Sequence, residues 1–580
     1  MTRIKKRSLA LLIAVLMMAM PIFSACTNDD TQTEDTDTAA VETSEISDNT
    51  ETEAPAPQKI ILAENGEYLY RIIYPRRQNN GEKDAAESLA NSMKSVFGSK
   101  PKTATDVVEY DAAALEIYVG LLAYEESMTA YEALGYGDYS ITRAGNKIII
   151  AAYESNVLKT AVNAFISSMK SVSDKDALML PENFEVTKTA NQVLSALPKV
   201  DKAPKMYCIA DSSSYTFVLE DCDDGIFDEY KAALAKKEFK EYAAQKLADN
   251  SFATYHSELC VVNLAYYPEN EAFHVSVDSK KYTDMPELSA SQYTKVGDTQ
   301  LSLLGVSASG NDENGFSMFV RLEDGRFLVW DGGGTNSDAE ADNIYAQLKA
   351  SAQAVGINKV VIAGWFLTHC HGDHGTAYLS FVSKYASEAE IQKLIISPTS
   401  YEYGAAAKDG AYYESNVMTQ TVFKSPKTDI IIARAGQRFY FADVTIDILY
   451  TLDSLMPYDF RDYNNASVVS RVQIGDKILI TTGDCASEAW DFICDVYGSY
   501  LKCDYLQIPH HGAIPGGTIE AYELLDPDYL LWPAGKQVID TVTSSTYKGY
   551  EINLHILDNM GLRDKTYIAG VLGDIATLTF

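Results

Sequence analysis

The chain has 580 residues, 46% of them hydrophobic, which is material for about three or four domains at roughly 100–200 residues each. Its 81 acidic residues outnumber 48 basic ones, for a net charge of −33. A surface this acidic repels phosphate backbones and argues against long nucleic acid as a partner.

Arg3, Lys5, Lys6 and Arg7 precede an apolar run from Leu9 to Phe23 and then Ser24-Ala25-Cys26. A basic start, a short apolar stretch and small residues before the break predict a secretory leader over residues 1–25 rather than a spanning helix. Phe23-Ser24-Ala25-Cys26 resembles a bacterial lipobox, with Phe where Leu is usual, and implies a lipidated Cys26. The expected location is therefore the outer face of a bacterial cell membrane, held by a lipid anchor. A plain leader with an incidental cysteine is the alternative. Residues 26–57 carry ten Asp or Glu, no Lys or Arg, and many Thr, Ser, Ala and Pro. Such a segment cannot bury enough apolar surface to order itself and predicts a flexible acidic tether. The rest of the chain is strongly acidic as well. Seven further cysteines (208, 222, 260, 370, 485, 494 and 503) show no CxxC pairing, and their odd number leaves at least one thiol free.

Residues 58–195 read as a small α/β domain. Leu89, Met93 and Val96 recur at helical spacing, Leu115–Gly120 and Lys147–Ala152 are strand-like, and Leu158, Ala161, Val162, Phe165, Ile166 and Met169 mark one helix face. Tyr139-Ser140-Ile141 together with residues 145–150 is similar to accessory domains attached to some bacterial glycoside hydrolases, which implies a spacer or recognition module. Residues 196–295 read as a small α+β domain. It has an expected helix from Phe227 to Leu247 and a hairpin of Val261–Tyr267 and Phe273–Val277 across Pro268-Glu269-Asn270. His256 and His274, isolated in this unit, read as structural or solvated. Residues 296–580 alternate strands and helices with Gly-rich corners, which predicts a layered α/β domain.

Within that last domain an apolar strand, Val360 to Leu367, runs into Thr368-His369-Cys370-His371-Gly372-Asp373-His374-Gly375, and an amphipathic helix follows. Three of the chain's eight histidines fall within six positions. Imidazole and carboxylate suit zinc and neighbouring divalent ions. The alternate residues His369 and His371 can converge on one metal while Asp373 and His374 turn toward a second.

His369-x-His371-x-Asp373-His374 resembles the HxHxDH signature of the metallo-β-lactamase superfamily. Phe327 to Gly334 looks like that family's early strand ending in Asp-x-Gly, and the helix from Asp342 to Val355, closed by Gly356, fits the crossover. Lys477 to Asp484 resembles the strand ending in Thr-Gly-Asp, and Asp504 to Gly512 resembles the one delivering the last histidine. The resemblance implies an αββα sandwich preceded by two small α+β domains. It also implies the metal ligands His369, His371, Asp373, His374, Asp484 and His511, with Asp484 bridging two ions. His511 is preferred to His510 because it directly precedes Gly512. Asp331 would orient the ligand loop.

The family's usual histidine between the first motif and the bridging Asp is absent; Asn464 and Asn465, followed by Ser467, stand in that region. With the His510-His511-Gly512 ending, this looks most like the branch found in DNA-uptake competence proteins. Asn is the weaker ligand, so one or two ions remain open, zinc first, with manganese or iron as alternatives. Cys370 and Cys485, beside ligands, read as small buried filler.

The resemblance implies a metal-dependent hydrolase in which water activated at the metal attacks a phosphodiester or other ester. Asp373 would orient the nucleophile and His510 would donate a proton to, or contact, the leaving oxygen. The expected substrate is a small molecule or a cell-wall-associated group. A non-catalytic, glycan-related surface lipoprotein with a degenerate domain of this fold is the rival reading.

Overall fold

The computed structural model describes residues 59–77, 81–200, 205–210, 214–306, 315–334, 336–399, 411–456 and 462–580. The chain divides into two units, Met1–Ala56 and Pro57–Phe580, and every described residue belongs to the second. The expected leader, Cys26, the whole of the tether expected over residues 26–57 and the side chain of Cys208 therefore lie outside the described residues. Among the described residues no helix is long and apolar enough to cross a membrane.

The first part of this unit is built on a six-stranded mixed sheet. Thr103–Thr105, Arg71–Tyr74, Glu116–Val119 and Lys147–Ala152 run parallel; Asp138–Ala144 and Val186–Thr189 add antiparallel. Helices Glu82–Phe97 and Ser155–Lys170 cover one face, burying Leu89, Met93, Leu158, Val162 and Phe165 against Ile72, Ile117 and Ile148. The Glu154 side chain accepts from the amides of Asn156 and Val157 and so starts the second helix. Lys147, only 1% exposed, is held by the Glu116 carboxylate and by the carbonyls of Asp111 and Ala114.

Next comes a six-stranded antiparallel sheet from Lys205–Ala210 to Ala272–Ser279. The hairpin Cys260–Tyr267 with Ala272–Ser279 turns through Pro268–Asn270, as the sequence predicts. The helix expected over residues 227–247 is a correction. It spans only Gly225–Lys236, and Lys240–Leu247 is an edge strand paired with Asn250–His256. The stretch is rich in Lys, Glu, Ala and Gln and favours a helix by propensity, but cross-strand pairing overrides it. His274 is buried and donates from Nδ1 to the Asp453 carbonyl oxygen at 3.1 Å, consistent with a structural role.

This sheet packs directly on the last part of the chain. Leu247, Phe252 and Tyr267 share a core with Trp490 and Phe492. The Asn250 side-chain amide donates to the Val496 carbonyl oxygen at 2.7 Å. Arg434, fully buried, forks onto the Asp278 carboxylate at 2.6 and 3.0 Å.

Residues from Gln300 onward form two sheets stacked face to face. One runs Asp429–Ile432, Lys393–Ile396, Val360–Leu367, Phe327–Trp330, Met318–Arg321, Gln300–Leu304 and Ile575–Thr579, with Ala389–Ile391 beside Val360–Leu367. The other runs Arg438–Phe441, Val444–Tyr450, Val469–Ile474, Lys477–Thr481, Tyr505–Gln507, Tyr529–Trp532 and Thr566–Ile568. Trp330, Val320 and Phe366 of the first meet Phe439, Ile448 and Leu479 of the second. Helices Ser337–Ala354 and Gly372–Tyr385 cover the outside of one sheet through Ile344, Leu348 and Phe381. Ser487–Tyr497 and Ile519–Leu525 cover the other through Trp490, Ile493 and Tyr522. The architecture is a four-layer αββα sandwich.

Candidate metal centre

The centre is assembled where three strands of the two stacked sheets end. Val360–Leu367, almost wholly buried, releases the chain at Thr368, and the helix Gly372–Tyr385 begins four residues later. The His371 carbonyl oxygen accepts from the amides of His374 and Gly375, so the first helical turn carries Asp373 and His374 inward. That helix lies close on the neighbouring loop. A Cβ at Gly332 would come within 2.9 Å of the Ala377 Cβ and 3.1 Å of the Tyr378 nitrogen, so a side chain is excluded there.

Asp331, next to this glycine, is fully buried and has φ of 51°, a region that non-glycine residues seldom occupy. Its carboxylate accepts from the Thr368 amide (2.7 Å), the Thr368 hydroxyl (2.6 Å) and His374 Nδ1 (2.8 Å). Because a carboxylate only accepts, Nδ1 of His374 carries the proton and Nε2 faces the centre. There Nε2 lies 3.1 Å from Asp484 Oδ2, yet makes no hydrogen bond.

Asp484 arrives from the strand Lys477–Thr481 through Gly483, whose φ is 52° and whose Cβ would lie 2.6 Å from the Thr368 hydroxyl. Gln507 holds this turn, its Oε1 accepting from the amides of Thr482 (2.7 Å) and Gly483 (2.8 Å). The Ser467 hydroxyl accepts from the Asp484 amide at 3.0 Å and lies 3.3 Å from His369 Nδ1.

His510 and His511 follow the strand Tyr505–Gln507 with φ of 51° and 56°. Two successive left-handed non-glycine residues cost about 1–3 kcal/mol each and persist only where the surroundings impose them. His511 is imposed twice: its Nδ1 donates to the Pro533 carbonyl oxygen at 2.8 Å, and its own carbonyl oxygen accepts from Trp532 Nε1 at 2.8 Å. Nε2 of His511 thereby points between Asp373 Oδ2 and Asp484 Oδ1, each 3.5 Å away. His510 is more exposed, and its Nε2 stands 3.9 Å from Asp484 Oδ2.

Two donor groups result. Asp373, His374, Asp484 and His511 form one; His369, His371 and Asp484 form the other, with ligand atoms within 4.8 Å of one another in each. His369 Nε2 and His371 Nδ1 are 2.8 Å apart, a pair of ring nitrogens facing one point. The donors fit a divalent metal. His374 Nε2, His511 Nε2 and Asp484 Oδ1 are buried polar atoms with no hydrogen-bond partner, a costly arrangement that an ion would relieve. The set contains nitrogen and carboxylate oxygen but no thiolate, the donor types that would suit zinc and neighbouring divalent ions.

The electrostatics agree with that geometry. Burial alone would lower the pKa of His374, but Asp484, Asp331 and Asp373 outweigh it and hold the ring well above the ordinary histidine value. For His511 burial is likewise outweighed, chiefly by Asp484, and the pKa rises to about 9. Burial favours protonation of Asp484, but His374 and His511 hold it well below the carboxylate range; Asp373 is lowered by the same two rings. Burial and the neighbouring rings lower His369 strongly. Burial also lowers His510, an effect opposed by Asp484 and reinforced by His511. Cys370 and Cys485 are buried free thiols pushed far up by burial, unsuited to nucleophilic work.

Asn464 and Asn465 sit in the short turn Tyr463–Ala466. Asn464 offers a buried Oδ1 without a hydrogen-bond partner. Asn465 does something else: its Oδ1 accepts from the Ala489 amide at 3.2 Å and its Nδ2 reaches Glu488 at 3.4 Å, so it serves the start of Ser487–Tyr497. The Tyr463 ring centroid lies 5.0 Å from that of His371, and its hydroxyl donates to the buried Glu414, whose pKa burial pushes up to about 7.

No protein-family model matches the sequence, and no curated protein matches it. Solved structures do. CmlA, a diiron β-hydroxylase from Streptomyces venezuelae, matches at 12% identity and a TM-score of 0.31, over 49% of this chain and 54% of that one. The match thus spans about half the length of that protein. The short form of human tRNase Z matches at 12% identity and a TM-score of 0.25, over 40% of this chain and 90% of that one. A Thermotoga maritima protein, a candidate Zn-dependent hydrolase of the metallo-β-lactamase superfamily, matches at 12% identity and a TM-score of 0.19, over 40% and 74%.

Sequence reasoning did not single out Thr368, Gln507, Tyr463 or Glu414. Thr368 adjoins His369 and could have been noticed. The others reach the centre from separate strands and turns, and nothing in their local sequence marks them.

Proposed function

We propose that this protein is a metal-dependent hydrolase of the metallo-β-lactamase type, acting on a phosphodiester or another ester. The observation that carries this reading is Asp484. Its two carboxylate oxygens face His374 and His511, and it belongs to both donor groups. His369, His371, Asp373, His374, Asp484 and His511 would hold one or two divalent ions. Zinc suits the donors best, with manganese or iron as alternatives. A bound divalent ion supplies an acidic water and polarises the scissile group.

The chain's own residues do the remaining work. Asp373, at the partly open edge of the buried cluster, orients the attacking water through its carboxylate. His510, less buried than His511, presents its imidazole to the leaving oxygen. Asp331 and Ser467 keep the ligand rings and the Asp484 turn in place without touching substrate.

The leader-like N-terminus and the Cys26 motif support a lipid-anchored site of action outside a bacterial cytoplasm. The acidity of the chain disfavours long nucleic acid and fits a small or cell-wall-associated substrate. The test is metal-dependent turnover of bis-p-nitrophenyl phosphate and of p-nitrophenyl acetate by the purified chain. Activity restored to chelated protein by zinc, and abolished in Asp373→Asn, supports the proposal. Metal-loaded protein that turns over neither ester would defeat it.

A further inference from the structure

The N-terminal mixed sheet carries a second feature, remote in sequence from the metal centre. The strand Arg71–Tyr74 pairs in parallel with Thr103–Thr105 on one side and Glu116–Val119 on the other. The helix after the first, Glu82–Phe97, packs on one face of the sheet; the helix after the third, Glu125–Glu132, contributes Tyr131 to the core on the opposite face. Where successive connections leave to opposite faces, the carboxyl ends of the parallel strands splay and leave a crevice, the usual ligand position in such sheets. An open crevice of about 460 Å³ lies there, formed by the residues just after each of the three strands.

Its lining is chemically specific. Arg76 and Arg77 are exposed, and among the described residues neither guanidinium is paired with a carboxylate. That is notable in a chain with 81 acidic residues. Asp106 is beside them, its Oδ1 accepting from the Arg76 amide at 2.8 Å. Val107, Leu121 and Met128 complete the wall and are 62%, 37% and 44% exposed, an apolar patch without an internal partner.

We propose that this crevice binds an acidic sugar unit, a ring bearing a carboxylate or a phosphate. The two guanidiniums call for an anionic group, which they can take in a bidentate manner. Asp106 opposes any anion but keeps its second carboxylate oxygen to accept from a hydroxyl, which favours an anion carried on a hydroxyl-bearing body over a bare inorganic one. The apolar wall matches the C–H face of a pyranose ring.

The experiment is calorimetric titration of the whole chain with cellobiouronic acid and with glucose 6-phosphate, against cellobiose and inorganic phosphate. At least one acidic sugar should bind, more weakly as salt is raised, and which of the two binds identifies the anion. The double variant R76A/R77A should weaken that binding at least about tenfold, with thermal unfolding and metal content unchanged. Met128→Asp should weaken it too. The proposal is overturned if neither acidic sugar binds more tightly than cellobiose. It is equally overturned if inorganic phosphate binds as well as the sugars (an adventitious ion only), or if R76A/R77A binds like the wild type.

Discussion

Asp331 Oδ2 accepts a hydrogen bond from His374 Nδ1 at 2.8 Å, and this one contact decides which ring nitrogen faces the centre. Carboxylates that fix a ligating histidine in this way typically contribute about 10–100-fold to metal affinity. Asp331→Asn is the informative change, since Asn tolerates the left-handed backbone at φ 51°. Its amide must then serve the Thr368 donors and the ring together, which one oxygen cannot do. Chelator-competition titration should show zinc affinity lowered by about 10–100-fold. Affinity equal to wild type would mean that the contact is incidental.

Asp484 is common to both donor groups, whereas His371 belongs to one. Elemental analysis should therefore separate their roles. Asp484→Ala should lose nearly all bound metal, and His371→Ala should lose only the share held by His369 and His371. If wild-type protein holds a single ion and His371→Ala retains it, that ion sits among Asp373, His374, Asp484 and His511. Full metal content in Asp484→Ala would remove the basis for a shared ligand.

Metal-free protein should respond to pH in the opposite sense to the metal-loaded form. His511 has its pKa raised to about 9 by Asp484 and Asp373, and His374 is raised as well. A group whose folded pKa is raised stabilises the fold below its unfolded value, about 6.5 for histidine, and loses that contribution as pH climbs through the folded value. The melting temperature of chelated protein should therefore fall between about pH 6.5 and about pH 9. Asp484 and Asp373, both lowered, add stability above about pH 4 that disappears in acid. Metal needs these rings neutral, so binding near pH 7 should release protons. Calorimetry in buffers of different ionisation enthalpy reads that release directly, and buffer-independent heats would contradict the protonated rings.

Much of this candidate site could be read in the sequence because its potential donors lie in compact motifs. His369, His371, Asp373 and His374 fall within six positions on a strand-to-helix corner, where an apolar run marks the strand and spaced apolar residues mark the helix. Residues that hold the ligands were harder to see. Gln507 grips the Asp484 turn from a different strand, and Ser467 reaches His369 across 98 positions of sequence. Such contacts depend on sheet register, which has no local signal. The edge strand Lys240–Leu247 departs from its expected helix for the converse reason: its composition favours a helix, and only its pairing with Asn250–His256 makes it a strand.

Asn465 illustrates how position in a motif can mislead. It lies where a ligating histidine would be expected, yet its side chain serves a helix. The helix Ser487–Tyr497 has Ala486 at its N-cap, which offers no side-chain acceptor, so its first amides need partners from elsewhere. Asn465 Oδ1 supplies one by accepting from the Ala489 amide. Removing a cap of this kind costs about 0.5–2 kcal/mol, and Asn465 is fully buried, which favours the upper part of that range. Asn465→Ala should lower the denaturant midpoint accordingly and leave metal content unchanged. Asn464→Ala provides the contrast, because the buried Oδ1 of Asn464 has no hydrogen-bond partner to lose. If Asn465→Ala instead retained its stability and lost metal, the residue would belong with the ligands after all.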